Sequence, residues 1–214
     1  MLLSPWQDDL VLDSTLRAHL GPALDGLGRR IAGWGVSANL VTLVGFVLGA
    51  GACLAAATAR WQAALLLWIA NRIFDGLDGP VARARGTSDR GGFMDIVADF
   101  TVYGGFVVGV GIAREEARVA CLVLLLTYYV SGTAFLALSS IAERTKIYLG
   151  DERSLRFLGG LAESTETFIA YVLFCFFPDQ AQPIAWVFAG AVAITAVQRV
   201  WFGMSTLRGR VRPP

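Results

Sequence analysis

Long apolar segments alternate with short polar turns along most of the chain. Each of the six longest is close to the roughly 20 residues that a membrane-spanning helix needs. The segments lie at about residues 36–58, 61–83, 93–113, 118–141, 163–178 and 183–204. The connections are short except for one stretch from Glu143 to Gly160. The pattern predicts an all-α integral membrane protein with six transmembrane helices.

The residues before the first apolar segment follow a helical period with a narrower apolar face. Leucines and one isoleucine recur at helical spacing between Leu16 and Ile31. Asp8 and Asp9 precede them, where a signal peptide would carry basic residues. We therefore expect an amphipathic surface helix within residues 1–34, a transmembrane domain at 35–206 and a basic cytoplasmic tail at 207–214.

The composition agrees with a membrane protein. Hydrophobic residues make up 55% of the 214 residues and charged residues only 16%, against about 25% charged in an average soluble domain. This excludes a water-soluble enzyme with a polar shell, and the net charge of +1 gives no sign of nucleic-acid binding. The three cysteines lack metal-site or disulfide spacing and are expected to be buried small hydrophobes.

Basic residues predict the orientation, because cytoplasmic loops of membrane proteins are rich in arginine and lysine. If both termini are cytoplasmic, thirteen basic residues lie on that side and only Arg60, Arg114 and Arg118 on the other. An even number of spans fits this asymmetry. The compact, arginine-rich chain favours a multi-pass protein of a bacterial cytoplasmic membrane.

Four aspartates interrupt the apolar pattern where the second segment ends and the third begins. Asp75 and Asp78 are three residues apart and Asp95 and Asp99 four apart, so each pair shares one helix face. The short connection makes the two helices antiparallel neighbours, which lets both acidic faces meet near the cytoplasmic side. Each carboxylate deep in a span costs about 2.5–3.5 kcal/mol, so a neutralising partner is required.

The chemistry of these residues fits a metal-bound diphosphate. Carboxylate oxygens without histidine or thiolate suit Mg²⁺ or Mn²⁺, and four of them can hold two ions about 3.5–4 Å apart. Gly79 permits close approach to the backbone, and Gly91 leaves space on the metal face. Arg83 can pair with phosphate oxygens, and the Ser88 hydroxyl can donate a hydrogen bond.

The same residues resemble a known family signature. The CDP-alcohol phosphotransferases carry D-x-x-D-G-x-x-A-R, a spacer, and then G-x-x-x-D-x-x-x-D. All eight fixed positions are present, although the spacer is one residue shorter than usual. They are Asp75, Asp78, Gly79, Ala82, Arg83, Gly91, Asp95 and Asp99.

The resemblance implies a transferase of phospholipid biosynthesis that moves a phosphatidyl group from a CDP-linked lipid, such as CDP-diacylglycerol, to an alcohol and releases CMP. It implies that the four aspartates bind metal and that Asp99 is also the general base. Gly79, Ala82, Arg83 and Ser88 match positions that contact the nucleotide or diphosphate. Asn39 and Thr42 match nucleotide contacts of the first span, with helix capping as the alternative. A homodimer is also implied, for which the small residues Ser131, Gly132 and Ala134 beside Tyr128 and Tyr129 offer a packing face.

The acceptor alcohol is left open by the sequence. Arg144, Lys146, Arg153 and Arg156 are candidates for binding a phosphorylated acceptor such as glycerol 3-phosphate or inositol phosphate, or are topology residues on a solvated loop. Glu163 and Glu166 share a face at the start of the fifth span. They favour a neutral or cationic polyol or amino alcohol, unless they pair with the nearby arginines and only shape the site.

A cation transporter or channel that uses the four aspartates as its ion site is the alternative function. Transporters usually carry internal repeats and a site near the membrane midplane. Here the sequence shows no repeat, and the cluster lies at a helical turn near one face. The pattern favours the transferase.

Overall fold

The computed structural model describes residues 11–145 and 164–207, and this part of the chain is helical throughout, without strands. Two short 3₁₀ turns, Glu115–Ala117 and Pro178–Gln180, connect longer helices. The α-helices are α1 (Val11–Gly33), α2 (Ala38–Ala57), α3 (Trp61–Arg85), α4 (Asp89–Ala113), α5 (Arg118–Thr145), α6 (Ser164–Phe176) and α7 (Ala181–Leu207).

Four stretches of the described chain are long and apolar enough to cross a membrane. They are Ala38–Ala57, Asp89–Ala113, Glu115–Arg144 and Pro178–Leu207. Helix α3 is long enough but carries several charged residues, and the apolar part of α6 is short at Thr165–Phe176. The all-helical membrane fold is therefore supported, whereas six spans and a surface position for α1 stay predictions.

Helix α2 packs along both α3 and α4, and small residues permit the close approach. A Cβ atom on Gly109 of α4 would lie 2.6 Å from the Cys53 carbonyl oxygen of α2. A Cβ on Gly49 would lie 2.5 Å from a methyl group of Val102. Backbone contact of this kind holds helices together where lipid removes the hydrophobic driving force between them.

The larger of the two buried apolar clusters among the described residues joins helices α2 to α7. Trp68, Phe106 and Tyr171 are completely buried, and the Phe106 and Tyr171 rings stack with their centroids 4.5 Å apart. Cys121 and Cys175 are buried in this cluster, as predicted, whereas Cys53 is only partly buried beside it. This aromatic layer lies two helical turns before Asp75, the first aspartate of α3.

Helix α1 lies against the end of α3 that carries the acidic motif. Gly28 contacts Pro80, where a Cβ atom would collide with the proline ring. Leu24 and Ile31 pack against a second small core that contains Leu77 and Val81. The contact places α1 beside the predicted site.

Part of the predicted dimer face is used inside the protomer. Ser131 is buried and its Oγ accepts a hydrogen bond from Arg199 of α7 at 2.9 Å. Gly132 lies so close to the Phe100 ring of α4 that a Cβ atom would collide with it. These two residues were expected to face a second copy, and the structure instead uses them to pack α5 within the bundle. The homodimer itself stays a prediction.

Candidate functional site

Helices α3 and α4 form an antiparallel pair that brings the four aspartates to one small cavity. Gly86 ends α3 with φ of 106°, a left-handed conformation that suits glycine and reverses the chain. Asp75, Asp78, Asp95 and Asp99 then line the cavity together with residues of α2. The convergence is the geometry that the two helical spacings predict.

The aspartates form two pairs across helices α3 and α4, which we call the inner rung (Asp75 and Asp99) and the outer rung (Asp78 and Asp95). Asp75 lies close enough to Asp99 to share a hydrogen bond, and Asp78 does the same with Asp95. Asp75, Asp95 and Asp99 each offer an oxygen, and these oxygens lie within 4.8 Å of one another. All the ligands on offer are oxygen atoms, so the donor set fits a hard divalent cation such as Mg²⁺ or Mn²⁺.

Thr42 joins this cavity from helix α2. Its Oγ1 donates a hydrogen bond to Asp78 Oδ2 at 2.9 Å and also lies 3.2 Å from the Ala38 carbonyl oxygen. The capping alternative for Thr42 and Asn39 is wrong, because Ser37 caps α2 by accepting a bond from the Leu40 amide. The Thr42 hydroxyl instead orients an aspartate of the cluster.

We expect Thr42→Val to lower kcat/KM about tenfold for the CDP-linked lipid that the motif resemblance implies as the donor. A hydrogen bond to a charged group contributes roughly 1.5–3 kcal/mol, and valine keeps the β-branched shape while it removes the donor. Steady-state kinetics with varied donor lipid measure the effect. Thr42→Ser keeps the hydroxyl and is the matched control, and equal activity in both variants would contradict the assigned role.

The first turn of α4 holds Ser88, Gly91 and Asn39 together. Ser88 caps the helix, since its Oγ accepts a hydrogen bond from the Gly91 amide at 3.1 Å. A Cβ atom on Gly91 would lie 2.9 Å from Asn39 Oδ1. The amide end of a helix favours anions, so this turn is suited to phosphate.

Arg83 forms an ion pair with helix α1 in this structure. Its Nη2 lies 2.8 Å from Asp25 Oδ1, and both side chains are well exposed to solvent. A Cβ on Gly79 would lie 3.4 Å from Arg83 Nη1, so the side chain runs over this glycine. Ala82, also in the motif, is partly buried beside it. Because exposed ion pairs contribute little stability, Arg83 can exchange Asp25 for a phosphate group.

Arg72 is the site residue that the sequence interpretation did not identify. It donates a hydrogen bond to Asp75 Oδ2 at 3.2 Å and another to Asp99 Oδ1 at 2.9 Å. The sequence required a neutralising partner for the aspartates, and Arg72 provides one within the chain. Its position three residues before Asp75, on the same helix face, was the available signal.

The acceptor candidates are mostly beyond the part of the chain that can be described. Lys146, Arg153, Arg156 and Glu163 lie outside the described residues. Of the remaining two, Glu166 is partly buried in the first turn of α6, and Arg144 is exposed in the last turn of α5.

An all-helical membrane protein with converging aspartates on two antiparallel helices is the class that fold and site define. Comparison with known proteins makes the class specific. Residues 35–201 match the CDP-alcohol phosphatidyltransferase family, so the chain belongs to this family and is a phosphatidyltransferase. The resemblance of its motif is thereby confirmed.

Individual proteins agree with the family match. Inner membrane protein YnjF of Escherichia coli is 36% identical over 210 residues, which cover 94% of this chain and 100% of YnjF. Crystal structures of the phosphatidylinositol phosphate synthase PgsA1 of Mycobacterium tuberculosis share the fold. The form with CDP-DAG bound has a TM-score of 0.69 at 22% identity, covering 89% of this chain and 98% of that one. The complex with manganese and citrate has a TM-score of 0.69 at 23% identity, covering 89% and 94%.

Proposed function

We propose that this phosphatidyltransferase moves a phosphatidyl group from a CDP-linked lipid, such as CDP-diacylglycerol, to an alcohol and releases CMP. The convergence of four aspartates of the family motif in one cavity carries the proposal. The structural similarity to PgsA1, which was crystallised with CDP-DAG bound, supports CDP-diacylglycerol as the donor. The reaction belongs to phospholipid biosynthesis.

Asp75, Asp78, Asp95 and Asp99 would hold the metal, with Mg²⁺ or Mn²⁺ as candidates and two ions as the expected number. The oxygen-only ligand set of Asp75, Asp95 and Asp99 supports this assignment, as do the place of Asp78 in the same cavity and the manganese in the PgsA1 complex. When bound, the cations would neutralise the diphosphate and the charge that develops on the leaving CMP.

Asp99 is the proposed general base. It accepts the proton of the acceptor hydroxyl, whose oxygen forms a bond with the lipid-side phosphorus. The bond between that phosphorus and the bridging oxygen breaks, and its electron pair leaves with CMP. Gly79, Ala82, Arg83, Ser88, Asn39 and Thr42 are the proposed nucleotide and diphosphate contacts.

A neutral or cationic polyol or amino alcohol is the proposed acceptor, in preference to glycerol 3-phosphate or inositol phosphate. The preference rests on Glu163 and Glu166, two acids at the start of the fifth apolar segment of the sequence. PgsA1 is named for a phosphorylated product, so both classes belong in the test.

We expect Glu166→Gln or Glu163→Gln to raise KM for the acceptor about fivefold while KM for the CDP-linked lipid changes less than about twofold. If a charged side chain contacts only one of the two substrates, its loss weakens the binding of that substrate and leaves the binding of the other unchanged. Initial rates with each substrate varied in turn measure the split. Unchanged acceptor kinetics in both variants would exclude these glutamates from acceptor selection.

Both termini and the active site are proposed to face the cytoplasm of a bacterial cell. The excess of basic residues on one side supports this orientation. In the structure, Arg114 pairs with Asp179, which places the ends of α4 and α6 together at the end opposite the aspartates. The family match favours the transferase over the cation-transporter alternative.

Product analysis with the purified full chain tests the function. The protein is incubated with labelled CDP-diacylglycerol, Mn²⁺ or Mg²⁺ and a panel of alcohols that includes inositol, inositol phosphate, glycerol 3-phosphate, serine, choline and ethanolamine. A new labelled phospholipid with stoichiometric CMP establishes the reaction and its acceptor. Metal-dependent loss of CDP-diacylglycerol to water alone, whatever the alcohol, would contradict the transferase.

A further inference from the structure

Arg72 is held from all sides at the inner end of the aspartate cluster. Its side chain is only 13% exposed. Nη1 donates to Asp75 at 3.2 Å and to the Tyr103 hydroxyl at 2.7 Å, and Nη2 donates to Asp99 at 2.9 Å. Nε donates to Asn71 Oδ1 at 2.8 Å. The guanidinium therefore bridges α3 to α4 and contacts one aspartate on each helix.

Aromatic rings fix the plane of this guanidinium. Its central carbon lies 4.7 Å from the Trp68 ring centroid and 4.9 Å from that of Tyr103. Trp68 is completely buried. Asn71 is itself anchored, because its side-chain amide donates to the Gly45 carbonyl oxygen of α2 at 2.8 Å. Arg72 is thus held by Trp68, Asn71 and Tyr103 as well as by the two aspartates.

The pairing divides the aspartates into two unequal rungs. Arg72 contacts both members of the inner rung, Asp75 and Asp99. In the outer rung, Asp78 accepts a hydrogen bond from the Thr42 hydroxyl, and within the part of the chain that the structure describes neither Asp78 nor Asp95 has a cation within ion-pair distance. A guanidinium stays protonated at any physiological pH, so the inner rung always carries its counter-charge.

We propose that Arg72 is a positioning residue that acts as a permanent counter-cation of the metal site. It holds Asp75 and Asp99 in place when no metal is bound. It also weakens the attraction of the site for divalent cations, since four ionised carboxylates and Arg72 have a formal charge of −3 instead of −4. With two divalent ions, the site would carry +1 with Arg72 and zero without it, so Arg72 favours an anionic diphosphate.

The role of Arg72 in the metal site rests on the proposed function, but its test does not need turnover. We expect Arg72→Gln to lower the melting temperature in EDTA by at least about 5 °C, because Asp75 and Asp99 then repel each other. When Mn²⁺ is added, the melting temperature of Arg72→Gln should rise at least about twice as much as that of the unmodified chain. The Kd for Mn²⁺, measured by electron paramagnetic resonance of the free ion, should fall at least about threefold.

A second pair of variants separates charge from packing. Arg72→Lys keeps the cation and should retain the Mn²⁺-induced shift of the unmodified chain. Adding Asp99→Asn to Arg72→Gln removes one anion with the cation and should restore at least half of the stability lost in EDTA. This double variant also replaces the single one if Arg72→Gln cannot be isolated, and its failure to fold would contradict the proposal.

Arg199→Gln is the matched control. Arg199 is also within a helix, donates to Ser131 at 2.9 Å and lies over the Phe135 ring, and it is not among the residues that line the aspartate cavity. Its loss should change the melting temperature equally in EDTA and Mn²⁺. The same equal change in Arg72→Gln, or a weaker Mn²⁺ affinity, would overturn the counter-cation role. If Mn²⁺ fails to stabilise even the unmodified chain, the metal part of the proposed function fails, while the EDTA comparison still decides whether Arg72 supports the aspartates.

Discussion

Asp99→Asn is expected to reduce kcat for phosphatidyl transfer at least about 1,000-fold. A positioned general base contributes typically 10²–10⁴-fold, and this side chain is also a proposed metal ligand. Asparagine keeps the size of the side chain and still presents an oxygen to Arg72, which lies 2.9 Å from Asp99 Oδ1. The fold should therefore survive, and the loss should be chemical.

Two measurements accompany this variant. Thermal stabilisation by CMP with Mn²⁺ should remain detectable, because Asp75, Asp78 and Asp95 are retained. Asp89→Asn is the matched control, since Asp89 lies in the first turn of the same helix and is exposed. It should keep activity within about twofold. Full turnover in Asp99→Asn would show that another group accepts the proton.

The positions of the helices were largely predictable from the sequence, and their ends were less so. The apolar segment expected from about residue 93 begins as a helix at Asp89. Its first turn is polar and glycine-rich, so hydropathy alone excludes it, whereas the Ser88 cap includes it. Hydropathy gives only a weak signal for α3 as a span, because the last turns of this helix carry Asp75, Asp78, Arg83 and Arg85.

The pairing of the aspartates was predictable because helical spacing fixes which residues share a face. The counter-charge was not, because it depends on three helices at once. On α3, Trp68 and Asn71 contact Arg72. On α4, Tyr103 and Asp99 accept hydrogen bonds from it. The carbonyl oxygen of Gly45 on α2 in turn accepts a hydrogen bond from Asn71. A sequence pattern within one helix shows only the spacing of Arg72 and Asp75. Likewise, the contact of Thr42 with Asp78 joins residues 36 positions apart.

Asp95→Asn in the outer rung is expected to change the melting temperature and the activity strongly. The direction of its effect on stability depends on whether metal is present. Asp78 and Asp95 lie within hydrogen-bond distance, without the guanidinium that serves Asp75 and Asp99. In EDTA at pH 8, Asp95→Asn should therefore raise the melting temperature by about 2–4 °C, the shift that roughly 1 kcal/mol produces in a chain of this size. Asparagine replaces carboxylate repulsion with an amide that can donate to Asp78.

The same substitution should abolish function. Loss of one of the four proposed ligands should lower kcat/KM at least about 100-fold and remove most of the stabilisation by Mn²⁺. Differential scanning fluorimetry in EDTA and in Mn²⁺, with transfer assays, measures both effects. Asp99→Asn is the comparison, because it leaves Arg72 with less counter-charge and should not stabilise the metal-free protein. A lower melting temperature for Asp95→Asn in EDTA would mean that Asp78 and Asp95 together stabilise the fold, which would contradict the prediction. A higher melting temperature with lost activity would mean that the two carboxylates are held close together to bind metal, at the expense of stability.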